Sequence, residues 1–293
     1  MTETLLVTGA SGKLGRAVVH HLLDAGHPAG TIIATTRDVT KLSDLADKGV
    51  VVRPATFDDP QSLLTAFAGA DRLLLISTDE LSTPGKRLVQ HTNAVESAAK
   101  AGVKHIVYTS MPKPEPGNAV LFAPDHYGTE QAIIASGMGY TILRNTWYQE
   151  NLFLVLPDAF KSGTLYTSAG DGRISHIAHA DCAKAAAAAL ASTSNENHIL
   201  TLTGPELFTT AEIAALASSI VGKPLSVVNL TDEQLIGGMV AHGLPEPVAK
   251  VFTSFDINTR QGGFDIVTGD FEMLTGEKPR PLKAFFEQVK SQF

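Results

Sequence analysis

Val7-Thr8-Gly9-Ala10-Ser11-Gly12-Lys13-Leu14-Gly15 decides the architecture of this chain. Its glycines recur at every third position between an apolar run that reads as a strand and an amphipathic stretch, Lys13 to Ala25, that reads as a helix. In that setting Gly9 permits the tight turn, and Gly12 lets backbone N–H groups approach a pyrophosphate. Gly15 lets the helix pack closely on the strand, while the helix N-terminus supplies positive potential. The spacing therefore predicts a dinucleotide site built from Gly9, Ser11, Gly12, Lys13 and Leu14.

Outward from this turn, short β-branched runs alternate with helical patterns. Thr4 to Thr8, Thr31 to Thr36, Val50 to Ala55, Arg72 to Ile76, His105 to Thr109 and Tyr140 to Leu143 read as six strands. Strands that are apolar on both faces need helices on both sides, which with right-handed crossovers gives an α/β fold with a Rossmann-type doubly wound parallel sheet. The rhythm breaks after Trp147. A strand-like run at Ile174 to Ile177, an alanine-rich helix from Asp181 and an alternating strand at His198 to Thr203 suggest a return to the sheet, and 209 to 293 reads mostly helical. The expected domains are 1–150 plus about 174–205 for NAD(P) binding, and about 151–173 plus 206–293 as a smaller, mostly helical substrate domain. Thr209 or Thr210, and Thr231 with Gln234, are expected to cap two helices of that region.

The end of the second strand bears on which nucleotide is bound. An acidic residue there would take the ribose 2′-hydroxyl of NAD, but the chain reads Thr35-Thr36-Arg37 before Asp38. A guanidinium can grip a 2′-phosphate through a bidentate contact, so Arg37 favours NADPH as cofactor, with Lys13 adding positive charge. Thr56 and Phe57, ending the third strand, are expected to flank the adenine.

Composition narrows the partners. The 293 residues carry a formal charge of −7, which gives no field for a nucleic-acid backbone. No window approaches the ~18 apolar residues of a membrane span, and Met1 to Thr4 has no export signature, so a cytoplasmic location is expected. The single cysteine, Cys182, sits among alanines and reads as core packing. Nothing in the sequence fixes the assembly state, which leaves room for a homodimer. His176 and His179 could suggest zinc, but residues three apart on a strand face opposite sides, so no metal is expected.

Several further segments bear on family. With Thr8 to Gly15 and Arg37 go Leu74-Leu75-Ile76-Ser77, Ala101-Gly102-Val103-Lys104-His105-Ile106-Val107-Tyr108-Thr109-Ser110 and Leu143-Arg144-Asn145-Thr146-Trp147-Tyr148-Gln149-Glu150-Asn151. Together they make the chain resemble, nearly end to end, the NmrA-like atypical short-chain dehydrogenases, and most of all the branch with NADPH:quinone oxidoreductases and triphenylmethane-dye reductases. The resemblance implies NADPH as cofactor and a cleft for a flat, electron-poor acceptor. It also implies that Arg144 to Asn151 lies between nicotinamide and substrate. On that basis Asn145 would orient the acceptor oxygen and contribute to the nucleotide site, and Trp147 would offer a stacking wall; these two are the expected catalytic residues. The backbone of Ile76, Ser77 and Thr78 would pass the cofactor, and Tyr127, Trp147, Tyr148 and Asn151 would line the pocket.

The orthodox short-chain dehydrogenase pair Tyr-x-x-x-Lys is absent: the nearest candidate, Tyr127, is followed four residues later by Gln131, which cannot lower a phenol pKa. Ketone reduction is disfavoured, because an alkoxide is conjugate to a pKa of about 15.7, whereas a hydroquinone anion resembles a phenolate near ~10. The gap of about six units corresponds to roughly 8 kcal/mol less anionic instability to offset, which hydrogen bonds and water can supply. The expected function is hydride transfer from NADPH to a quinone-like small molecule. The alternative is a non-catalytic NADP(H)-sensing regulator that captures a protein partner, since NmrA-like regulators share the cofactor turn.

Overall fold

The computed structural model describes residues 3–81 and 83–293, which fold as two units. The first comprises Met1–Met111, Asp125–Arg144 and Ala180–Leu200. Its strands β1 (Leu5–Val7), β2 (Ile32–Thr36), β3 (Val51–Pro54), β4 (Arg72–Leu75), β5 (His105–Ser110) and β6 (Gly139–Asn145) pair in parallel. With β9 (His198–Leu202) they form one sheet of order β3-β2-β1-β4-β5-β6-β9. The order reverses at β1, so the glycine turn leaves the sheet at the point where doubly wound folds open their ligand crevice. The doubly wound architecture expected from the strand rhythm is the one observed.

Helices α1 (Lys13–Asp24), α2 (Ser43–Asp47), α3 (Pro60–Phe67), α4 (Lys86–Lys100), α5 (Ala123–Ala135) and α7 (His179–Ala191) connect these strands. On one face Leu6, Leu73, Ile106 and Tyr108 of the sheet meet Leu63 and Phe67 of α3 and Ala94, Val95 and Ala98 of α4, all buried. Full burial of each large apolar side chain contributes about 1.5–3 kcal/mol. The alanine spacing on α4 lets that helix sit close to the strands.

Arg72, although charged, is only 1% exposed at the start of β4. Its guanidinium donates to the carbonyls of Ala189, Leu190 and Ser194 at the end of α7. A cation at a helix C-terminus meets both the unsatisfied carbonyls and the negative end of the dipole.

The second unit comprises Pro112–Pro124, Asn145–His179 and Thr201–Phe293. In it β7 (Thr164–Thr167) pairs in parallel with β11 (Ser226–Asn229), and β8 (Arg173–Ile174) pairs antiparallel with β10 (Phe208–Thr209). The remaining helices are α6 (Leu156–Ser162), α8 (Thr210–Val221), α9 (Asp232–Ala241), α10 (Glu246–Arg260), α11 (Asp270–Thr275) and α12 (Leu282–Val289). Thr209 with Glu212 and Thr231 with Gln234 form reciprocal capping boxes at the starts of α8 and α9.

The boundaries differ from the sequence expectation at four places: residues 112–124, 145–150, 174–179 and 201–205, expected in the first domain, lie in the second unit. Residues 174–179 lie in the second unit because β8 takes its partner from β10 and not from the seven-stranded sheet. Pro112–Pro124 also belongs to the second unit. Among the described residues no helix is long and apolar enough to cross a membrane, and no group of His, Cys, Asp or Glu could hold a metal ion.

Candidate functional site

The glycine turn has the geometry that a pyrophosphate cradle requires. Gly9 sits at φ +59°, a backbone conformation that side chains disfavour. A Cβ at Gly15 would lie 2.6 Å from the Gly9 carbonyl oxygen and 2.8 Å from Ala10 Cα, so only hydrogen fits where α1 crosses the turn. The Gly12 amide donates to Gly9 O at 2.9 Å, and the Ala10 amide donates to Thr35 O at 2.9 Å, fixing the loop against β2. Ser11, Gly12 and Lys13 are exposed at the opening of α1, while Leu14 is buried beneath it.

At the end of β2, the neighbouring residues Arg37 and Asp38 differ in their engagements. Asp38 is committed to a local turn: its Oδ1 accepts from the Thr40 amide at 3.1 Å and the Thr40 hydroxyl at 2.6 Å. These bonds, the hydroxyl first, hold the carboxyl below its usual range. Arg37 is exposed and makes no hydrogen bond or ion pair with any described residue. Its neighbour Arg16 is already engaged, by Asp44 at 2.7 Å and by the Lys41 carbonyl. Arg37 is thus uncommitted, as is the exposed Lys13 at the opening of α1, and both cations suit a 2′-phosphate.

Beyond β4, three successive amides are each held by a side chain from a different element. Ile76 N donates to Thr8 Oγ1, Ser77 N to Thr109 Oγ1 and Thr78 N to His91 Nε2, each at 2.9 Å. The last bond fixes a tautomer, since an imidazole nitrogen that accepts an N–H carries no proton. The His91 proton is therefore on Nδ1 and is donated to Thr129 Oγ1 at 2.9 Å, while the Thr129 hydroxyl donates to the Asp125 carbonyl at 2.6 Å.

A second chain runs alongside. Arg87 can only donate, so His126 accepts at Nε2 (2.9 Å) and donates from Nδ1 to the Tyr108 oxygen at 2.8 Å. Burial pushes the His91 pKa down to about 3, with the Arg87 charge adding to it, and keeps His126 neutral as well. Sequence reasoning did not find His91, Thr109 or Thr129. His91 recurs with Arg87, Ala94, Val95 and Ala98 on the buried side of α4, where it reads as ordinary packing.

In the second unit, the segment after β6 carries the expected acceptor-side residues. Thr146 N bonds Leu202 O, Ile177 N bonds Trp147 O and Gln149 N bonds Ile177 O, at 2.9–3.0 Å, which fixes Thr146 to Tyr148 up to the 3-10 turn that opens at Gln149. Asn145 is buried; its Nδ2 donates to Tyr148 Oη at 3.2 Å and its Oδ1 has no partner. The Tyr148 ring meets His179 edge to face. Trp147 lies against Phe255 with centroids 3.9 Å apart.

Trp147 and Asn151 line a cavity of about 680 Å³, whereas Tyr148 and Tyr127 do not. Tyr127 sits half-buried on α5 in the first unit. Nearby in sequence, Glu130 accepts from the Ser110 hydroxyl at 2.6 Å and from Arg144 at 2.7 and 3.0 Å, anchoring the residue before Asn145.

Over 290 residues the chain is 35% identical to quinone oxidoreductase 2 of Escherichia coli K12, covering 99% of this chain and 98% of that protein. The crystal structure of the NADPH-dependent quinone oxidoreductase of E. coli, complexed with NADPH, matches with TM-score 0.91 at 33% identity, covering 97% and 99% of the two chains. The Citrobacter sp. triphenylmethane reductase, complexed with NADP(H), matches with TM-score 0.89 at 36% identity, covering 98% and 99%. Residues 1–285 match the model of the NmrA-like family, and with these relatives spanning nearly its full length, the chain belongs to that family.

Proposed function

We propose that this protein is an NADPH-dependent oxidoreductase that reduces a quinone or a similar electron-poor conjugated acceptor. The observation that carries the reading is the pairing of a cradle closed to any Cβ at Gly15 with the uncommitted guanidinium of Arg37, beside an Asp38 already engaged in its own turn. Bound NADPH would supply the hydride.

The chain's own residues divide the remaining work. The amides around Gly12 and the opening of α1 hold the pyrophosphate, and Arg37, with Lys13, holds the 2′-phosphate. Leu14 packs under the turn, and Ile76, Ser77 and Thr78 present fixed backbone to the ribose. Asn145 Nδ2 carries a second hydrogen beyond the one given to Tyr148, and it orients the acceptor oxygen. Trp147 provides a flat wall, with Tyr148 and Asn151 completing the acceptor side.

The test is NADPH oxidation followed at ~340 nm with and without 2-methyl-1,4-naphthoquinone. The reading requires quinone-dependent turnover that NADH supports poorly; nucleotide binding with no turnover on any quinone would favour the sensing regulator instead. Asn145→Ala should lower kcat by about 10-fold or more while the Kd for NADPH stays near wild type. Unchanged turnover would remove Asn145 from the acceptor site.

A further inference from the structure

The cavity of the second unit, about 680 Å³, lies within the 300–1,000 Å³ range of small-molecule sites and is far larger than the voids of a packed interior. Its wall is largely apolar, with the Trp147 and Phe255 rings in contact and Met239 of α9 also facing in. Three of its polar lining side chains are buried: Thr167, Thr259 and His176. Two are spoken for, since Thr167 donates to Asp256 Oδ2 at 2.8 Å and Thr259 to the Phe255 carbonyl at 2.8 Å.

His176 is different. It is 4% exposed, its side chain bonds no protein group, and its Nδ1 is sealed without a partner. With Nδ1 sealed, Nε2 is the ring nitrogen left for a hydrogen bond to a cavity occupant. Burial alone lowers its pKa to about 4, so the ring is neutral and has one donor to offer. A proton on Nδ1 would be trapped without an acceptor, whereas a proton on Nε2 can be used by whatever occupies the cavity.

We propose that this cavity is the binding site for a flat acceptor of two or more fused rings, and that His176 donates a hydrogen bond from Nε2 to its ring oxygen. The class of occupant rests on the reductase reading above; the site itself rests on the cavity and its unpartnered imidazole. A single ring would leave much of the volume unfilled and lose the dispersion contacts of the far wall. His176 thereby supplies a polar contact to the acceptor from the wall of the cavity that Trp147 also lines.

Trp147 is the chain's only tryptophan and lines this cavity, so its emission reports occupancy directly. The experiment titrates the protein, without nucleotide, with 2-methyl-1,4-naphthoquinone and with 1,4-benzoquinone. Saturable quenching is expected, with the naphthoquinone binding about 10-fold or more tighter. His176→Phe should loosen the naphthoquinone about 5- to 10-fold, and His176→Gln, which keeps an N–H donor, should stay within about threefold of wild type. Met239→Phe, which fills the cavity, should weaken the naphthoquinone more than the benzoquinone.

Quenching that never saturates, or naphthoquinone affinity untouched by either His176→Phe or Met239→Phe, overturns the proposal. If His176→Phe does not fold, ¹⁵N-histidine spectra of the wild type decide: a His176 ring resonance that ignores saturating naphthoquinone overturns the contact. Failure of the two readings is distinguishable. Quinone-dependent NADPH oxidation without saturable quenching sinks the cavity assignment alone, whereas saturable quenching without NADPH oxidation leaves the cavity as a quinone site and sinks the reductase.

Discussion

Two polar regions of this molecule are built on opposite plans. Around Thr78, each hydrogen bond has one allowed direction: the Thr78 amide to His91, His91 to Thr129, and Thr129 to a backbone carbonyl. At the cavity of the second unit, by contrast, the lining residue His176 bonds no described residue through its side chain. A chain of directed hydrogen bonds rigidifies what it holds, whereas a buried ring that bonds no protein group keeps a donor for an incoming one. The contrast suits the proposed division of labour, an invariant nucleotide at the first region and an adaptable acceptor at the second. A nucleotide is the same molecule at every turnover, and acceptors vary.

The comparison breaks most easily at the glycine turn. Gly15→Val should reduce NADPH affinity on the order of 100-fold, because its Cβ would meet backbone at Gly9 and Ala10 and not a movable side chain. Isothermal titration with NADPH measures this, and affinity within threefold of wild type would show that the cradle tolerates displacement. Arg37→Ala should cost about 10- to 100-fold in NADPH affinity, the size of a charged hydrogen bond, and leave NADH nearly unchanged. Equal losses for both nucleotides would show that the guanidinium does not read the 2′-phosphate.

Smaller effects sharpen the contrast. His91→Phe leaves the Thr78 amide without an acceptor and should raise the Kd for NADPH about 5- to 10-fold, while naphthoquinone quenching of Trp147 stays unchanged. His91→Gln, whose carbonyl can take the same N–H, should recover most of the loss. Stability against pH supplies the smallest test. The folded pKa of His91 is about 3 against about 6.5 unfolded, so below pH ~6.5 the unfolded chain binds a proton that the native one refuses. The stability from neutral His91 is thus present above pH ~6.5 and lost as pH falls. Unfolding free energies from urea melts between pH ~6.5 and ~5 should decline less steeply in His91→Phe, by up to about 1.4 kcal/mol per pH unit at the acid end. Parallel slopes would mean that His91 is already protonated in the native state.

Much of the first unit was legible because its signals are local. The glycine turn, the apolar strands and Arg37 each lie within a few residues of the feature they specify, and the six strands came out within about two residues of their expected ends. The second unit resisted for a physical reason. Ile174-Ser175-His176-Ile177 alternates as any strand would, and nothing in it reveals that β8 pairs with β10, 34 residues further on, and not with the main sheet.

In the sequence His176 reads as a strand residue and not as a metal ligand. Its importance, however, lies in bonds it does not make, and a sequence holds no sign of a missing partner. Trp147 and Asn151 were visible as a cluster, yet the cavity they line also needs α9 and α10, which composition alone leaves anonymous. His91 was hidden in the same way: its partner Thr78 lies across a turn from α4, so the pair has no helical spacing to betray it.

Arg72 carries a consequence for biosynthesis. Its guanidinium, sealed at the start of a central strand, finds its carbonyls only at Ala189, Leu190 and Ser194. Until those residues have left the ribosome, the nascent sheet would enclose a cation with nothing to receive it, at a cost of several kcal/mol. The amino-terminal portion should therefore stay loosely collapsed and chaperone-accessible through most of translation, locking only when the alanine-rich helix arrives.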